Sequence, residues 1–195
     1  METTGVKKSL SLIILAIVAY NVLAIIGSAF SLVEGFNDVA SFAGGESSTA
    51  INVIGWIITI ATIGGYVLYV VGLTQFSGYL DQVGSSAVKL VRLGVIIALV
   101  STLPIPILSG ILALVAFIVE LVGYNQLKSS GSLSPVGVSG ANLLFITMII
   151  GVVGAILGWI PLIGGIIKII FGVICFILVL VGWMKIRQSF NTPTA

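Results

Sequence analysis

Two ionisable side chains lie inside long apolar stretches of this chain: Glu120 in the run VAFIVELVG and Lys168 in GGIIKIIFG. A charge surrounded by hydrocarbon is costly, so an acid or base that sits there is a candidate for handling ions or protons. A carboxyl at Glu120 could compensate a passing cation or carry a proton. Lysine has another option, because its long stem can lift the ammonium out to an interface. Glu120 lies about 10 Å short of one end of its run, and Lys168 about 10 Å from the opposite end of its own. At such different depths the two do not form a pair.

Other chemistry is excluded by what the chain lacks. It contains no His, which removes the commonest general base and metal ligand. Gly137-Val138-Ser139-Gly140 resembles the serine motif of rhomboid-type intramembrane proteases, but those proteases use a His base and this chain has no His. That motif also reads as part of a flexible loop. Asp38 and Asp81 fall in loops, so an intramembrane aspartyl pair is absent too. Cys175 is the single cysteine and makes neither a disulfide nor a thiolate metal site. We therefore expect no enzyme, no cofactor and no metal. The net charge of +2, with scattered basic residues, gives no footprint for nucleic acid.

The elements that must hold Glu120 and Lys168 follow from composition. Eight basic and six acidic residues make the chain 7% charged, against roughly 25% in soluble domains. With a mean hydropathy of +1.29, a chain of 195 residues cannot cover its outside with polar groups. This is an all-α integral membrane protein. A crossing needs about 20 mainly apolar residues, and six spans satisfy this: 10–33, 51–76, 88–103, 106–127, 141–159 and 162–187. Loops are expected at 34–50 and 128–140, with tight corners at Pro104-Ile105-Pro106 and around Pro161. Lys89 and Arg92 shorten the third span, so the third and fourth either cross fully or form a re-entrant hairpin. Lys7 and Lys8 followed by residues 10–26 and Gly27-Ser28-Ala29 have the layout of a signal peptide. The apolar stretch is longer than such a peptide requires, and it reads as an uncleaved first span.

Charge orients the six spans. With the N-terminus inside, every basic residue except Lys168 falls at the cytoplasmic face, and Glu34, Asp38 and Glu46 fall opposite. Both termini are then cytoplasmic, and the location is the cell (cytoplasmic or inner) membrane. Tyr124 and Trp183 fall near that face and read as interfacial anchors.

Two hairpins match one another. Residues 94–104 (GVIIALVSTLP) and 151–161 (GVVGAILGWIP) share an opening Gly-Val and a proline ten residues on. Their return helices end in Leu121-Val122-Gly123-Tyr124 and Leu180-Val181-Gly182-Trp183, and a fainter copy is Val70-Val71-Gly72-Leu73. Three hairpins of one orientation follow. This pattern resembles a family of small prokaryotic polytopic membrane proteins, a domain of unknown function with tandem Gly-rich transmembrane hairpins. The resemblance covers about residues 93–187. It implies a bacterial or archaeal cell-membrane protein and brings no site residues with it.

Small residues mark where helices can approach in lipid: Gly154 with Gly158, Ala61 with Gly65, and Ser109 with Ala113. They read as internal seams of the bundle first, and as docking surfaces for other proteins second. The sparse polar residues, among them Asn21, Thr62, Ser101, Thr102 and Thr147, give no continuous polar face and read as interhelical hydrogen-bonding groups. The leading functional expectation is a non-catalytic accessory, scaffolding or assembly subunit. Its partners would be the lipid bilayer and other membrane proteins, or itself. The alternative is a small transporter or channel built on Glu120, and the third reading is a lipid-binding protein.

Overall fold

The computed structural model describes residues 3–41, 49–102, 107–158, 160 and 163–191, with side chains at 4–27 and, within those ranges, from residue 56 onward. Six helices occupy them: α1 (Thr3–Ser41), α2 (Thr49–Ser77), α3 (Gln82–Val100), α4 (Leu108–Leu127), α5 (Pro135–Leu157) and α6 (Gly164–Ser189). No strand occurs among the described residues. Each helix contains a stretch long and apolar enough to cross a membrane, so the chain is membrane-embedded and multi-pass.

The helix ends differ from the hydropathy boundaries for local reasons. α1 continues to Ser41 through half of the loop expected at 34–50, and α2 already begins at Thr49. Polar residues such as Glu34 and Asp38 end an apolar run without ending a helix. α3 starts at Gln82 rather than residue 88, because Asp81 caps it: the Gly84 N–H donates to Asp81 Oδ1 at 3.1 Å. Its 19 residues reach about 28 Å, close to a full hydrocarbon thickness. α5 starts at Pro135, a residue suited to the first helical turn. The motif at 137–140, expected in a flexible loop, is therefore helical. The expected corners at Pro104-Ile105-Pro106 and at Trp159 and Pro161 lie outside the described residues.

α1 packs chiefly on α2, α3 on α4 and α5 on α6, and lesser contacts of α2 with α3, α4 with α5 and α6 with α1 complete a ring. Close approach within each pair is made by small residues two turns apart. On α2, Gly72 faces Ile13 and Gly65 faces Tyr20. Between α3 and α4, a Cβ on Gly123 would stand 2.9 Å from the Ala87 carbonyl oxygen, and one on Gly94 would stand 3.0 Å from that of Ala116. Between α5 and α6, Gly140 lies on the backbone of Gly182, and the Cys175 thiol lies 3.8 Å from the Thr147 carbonyl oxygen. Backbones can meet this closely only where no side chain intervenes.

Among the described residues the core is concentrated at one end. Leu10, Leu73, Phe76, Val88, Leu127 and Ile186 are fully buried there. The same end gathers the start of α1, the α2–α3 and α4–α5 loops and the end of α6, and with them all the basic residues except Lys168. It is called the basic end below. At the opposite end, buried side chains are few among the described residues, and α6 is the least covered of the six spans.

A tyrosine-lined axial cavity around Glu120

The basic-end core ends in a cavity of about 130 Å³ on the axis of the ring. All six helices reach it. α1 contributes Tyr20, α2 contributes Tyr66 and Tyr69, and α4 contributes Glu120 and Tyr124. The remaining walls are apolar: Val95 and Ala98 from α3, Leu144 and Met148 from α5, and Val179 from α6. Glu120 lies seven residues before the end of α4, so the cavity starts about 10 Å inside the basic end.

The glycine register explains why these residues converge. Gly72, Gly123 and Gly182 hold the same place, each pressed on the partner helix of its own pair. The residue three positions earlier then points to the ring axis in every case: Tyr69, Glu120 and Val179 all line the cavity. The residue one position later, Leu73, Tyr124 or Trp183, is buried. Gly94 gives Glu120 its room, since the side chain of Glu120 occupies the space a Cβ on Gly94 would need.

The aromatic residues form one connected set. Tyr20 stacks on Tyr66 with centroids 4.6 Å apart and planes at 18°, and Tyr69 tilts against Tyr20 at 6.0 Å. The hydroxyls of Tyr69 and Tyr124 lie 3.0 Å apart and share a hydrogen bond. Beneath them Trp183 meets Tyr69 and Phe76 edge-on at 6.2 and 5.9 Å. Among the described residues no acceptor meets full hydrogen-bond geometry with the buried Nε1 of Trp183. This layer floors the cavity toward the basic end. No Lys or Arg is among the residues that line it.

Several expected roles change. Tyr124 and Trp183 are not interfacial anchors: they are 4% and 0% exposed and sit inside the ring, because each follows a glycine that turns it inward. Lys168 is solvent- or lipid-exposed and folds its stem over Gly158, away from the cavity. α4 and α6 are not neighbours in the ring, so Glu120 and Lys168 stay apart.

Of the small-residue seams, Gly65 packs on Tyr20 and Gly154 on Phe171, but Ala61 and Ala113 are exposed and Ser109 is partly so. Those three lie on outward faces of their helices. The polar residues expected to bond between helices bond within them. Asn21 donates to the Ile17 carbonyl, Thr62 to Ile58, Ser101 to Ala98, Thr102 to Leu99 and Thr147 to Leu143. A hydroxyl or amide in lipid satisfies itself most readily on the preceding turn.

The tyrosines were not read as site residues from the sequence, where they count as aromatic hydrocarbon. The available signal was the spacing of Tyr66 and Tyr69, three residues apart on one helix face, with Tyr69 three before Gly72 as Glu120 is before Gly123. At the basic end, Asp81 ties the two loops together. Its carboxylate accepts from Ser130 Oγ, from the Gly131 N–H at 3.2 Å and from Ser132 Oγ at 3.2 Å, and the Asp81 N–H donates to Ser132 Oγ at 2.7 Å. The Ser130 hydroxyl, with the other donors, holds this carboxyl below its ordinary value.

Comparison with protein-family models, with curated proteins and with solved structures finds no match to this chain.

Proposed function

We propose that this protein is a small transporter or channel that takes a cation into the membrane interior, with Glu120 as the compensating charge. The observation that carries the reading is the axial cavity: all six helices wall it, and among the described residues that line it there is a carboxyl and no Lys or Arg. An acid facing a cavity in hydrocarbon is where a cation or proton lowers the cost of burial. The three glycines that place Tyr69, Glu120 and Val179 on the axis support an origin in three copies of one hairpin, related by an axis along the membrane normal. The clustering of basic residues supports a cytoplasmic basic end with both termini inside.

The test is flux through the purified protein in liposomes. Saturable, cation-selective uptake that Glu120→Gln abolishes supports the proposal, and the absence of any Glu120-dependent flux overturns it. An accessory subunit is the second reading, favoured by the thin coverage of α6. Purification of the native protein in mild detergent with stoichiometric membrane partners would support that one instead.

A further inference from the structure

We infer that the axial cavity is a binding site for a small alkylated ammonium ion, held against tyrosine rings and the carboxyl of Glu120. The inference rests on the cation-handling reading above and names the class of cation. Four phenol rings and one carboxyl border a single space, and the rest of its lining is aliphatic or thioether. Aromatic rings attract a cation through their negative faces, most strongly where water is excluded, and this favours ions with methyl or alkyl shells.

An inorganic cation makes a different demand. Sodium or potassium needs several oxygens to replace its hydration shell, and here two of the four phenol oxygens, those of Tyr69 and Tyr124, already bond to each other. An alkylated ammonium gives up little hydration. It places its carbons against Val95, Leu144 and Met148 while its charge faces Glu120. The size also fits. A volume near 130 Å³ is well below the roughly 300–1,000 Å³ of pockets that take drug-sized ligands. That is the scale of a tetramethylated or short-chain ammonium.

The experiment is a titration of the full-length protein in nanodiscs with tetramethylammonium chloride, and with sodium chloride as the second probe, read by tyrosine and tryptophan fluorescence and by calorimetry. Saturable tetramethylammonium binding is expected, abolished in Glu120→Gln, with no saturable response to sodium. Tyr66→Phe keeps the ring and should bind within about threefold of the parent, whereas Tyr66→Leu should weaken binding about tenfold or more. Should the leucine variant fail to fold, the phenylalanine variant still decides between ring and hydroxyl. A large loss in Tyr66→Phe would mean coordination by oxygen and would overturn the proposal. Sodium binding without tetramethylammonium binding, alongside Glu120-dependent flux, overturns this ligand class and leaves the cation reading standing. Neither binding nor Glu120-dependent flux overturns both.

Discussion

Glu120 lies across Gly94, its side chain filling the space where a Cβ would stand on the facing helix. The acid and the glycine are thus one device: α3 has no side chain there, so α4 can carry a carboxyl between the two helices and present it to the axis. Gly94→Ala would force Glu120 aside or part the helices at Ala116. Overpacking of this kind costs about 1–3 kcal/mol. Gly123→Ala makes a comparable clash against the Ala87 carbonyl without touching Glu120. Thermal unfolding in detergent should show the two variants similarly destabilised. Cation flux should fall further in Gly94→Ala, and equal flux in the two would break the link.

The Tyr69–Tyr124 hydrogen bond joins α2 to α4 across the floor of the cavity. Removing one hydroxyl leaves the other buried without its partner, a loss of about 1–3 kcal/mol. Tyr69→Phe and Tyr124→Phe should each be destabilised by that amount. The double variant should be less destabilised than the sum of the two, because it leaves no orphaned hydroxyl. A double-mutant cycle measures this coupling directly, and strict additivity would mean the bond carries none of the stability.

Much of the architecture was legible in composition and spacing. Six helices follow from apolar runs alone, and Glu120 stands out as a charge within one. The contents of the cavity were hidden for a physical reason. A tyrosine contributes to an apolar run as a hydrophobe does, so Tyr20, Tyr66 and Tyr69 left no break in the pattern. Helix ends were misplaced wherever a cap, such as Asp81, or a first-turn proline, such as Pro135, extended the helix into polar sequence. Small residues alone did not tell inward from outward faces: Gly65 is buried and Ala61, one turn away, is exposed. That distinction depends on which helix lies opposite, and hence on tertiary structure.

Glycines sort by what surrounds them. A methyl on Gly140 would meet the Gly182 carbonyl oxygen at 2.5 Å, and one on Gly182 would meet Leu144 Cδ2 at 2.8 Å. Backbone cannot yield as a leucine can, so Gly140→Ala should be the more damaging of the two, by about 1 kcal/mol or more. Gly172 has nothing within 4 Å. Gly172→Ala should be neutral, or more stable by up to about 1 kcal/mol through helix propensity. Ranking the three variants by unfolding midpoint checks the packing of α5 on α6, and a destabilised Gly172→Ala would contradict it.

Asp81 predicts how stability responds to acid. Its carboxyl is held below the ordinary value of 3.8, first by the Ser130 hydroxyl and then by the backbone N–H groups of Gly131 and Gly84 and the Ser132 hydroxyl. A carboxyl with a depressed folded pKa stabilises the fold while ionised. The contribution is complete above the ordinary value and fades as pH falls through the lower, folded one. Asp81→Ala should therefore lose about 1 kcal/mol at neutral pH, the usual worth of a helix cap. Its unfolding midpoint should also fall less steeply than the parent's as pH drops below about 4. Ser130→Ala removes the leading donor and brings the folded value back toward the ordinary one, so its acid-dependent loss should be smaller than the parent's and should finish at a higher pH. Parallel pH profiles for all three proteins would show that the carboxylate is not what ties the α2–α3 loop to the α4–α5 loop.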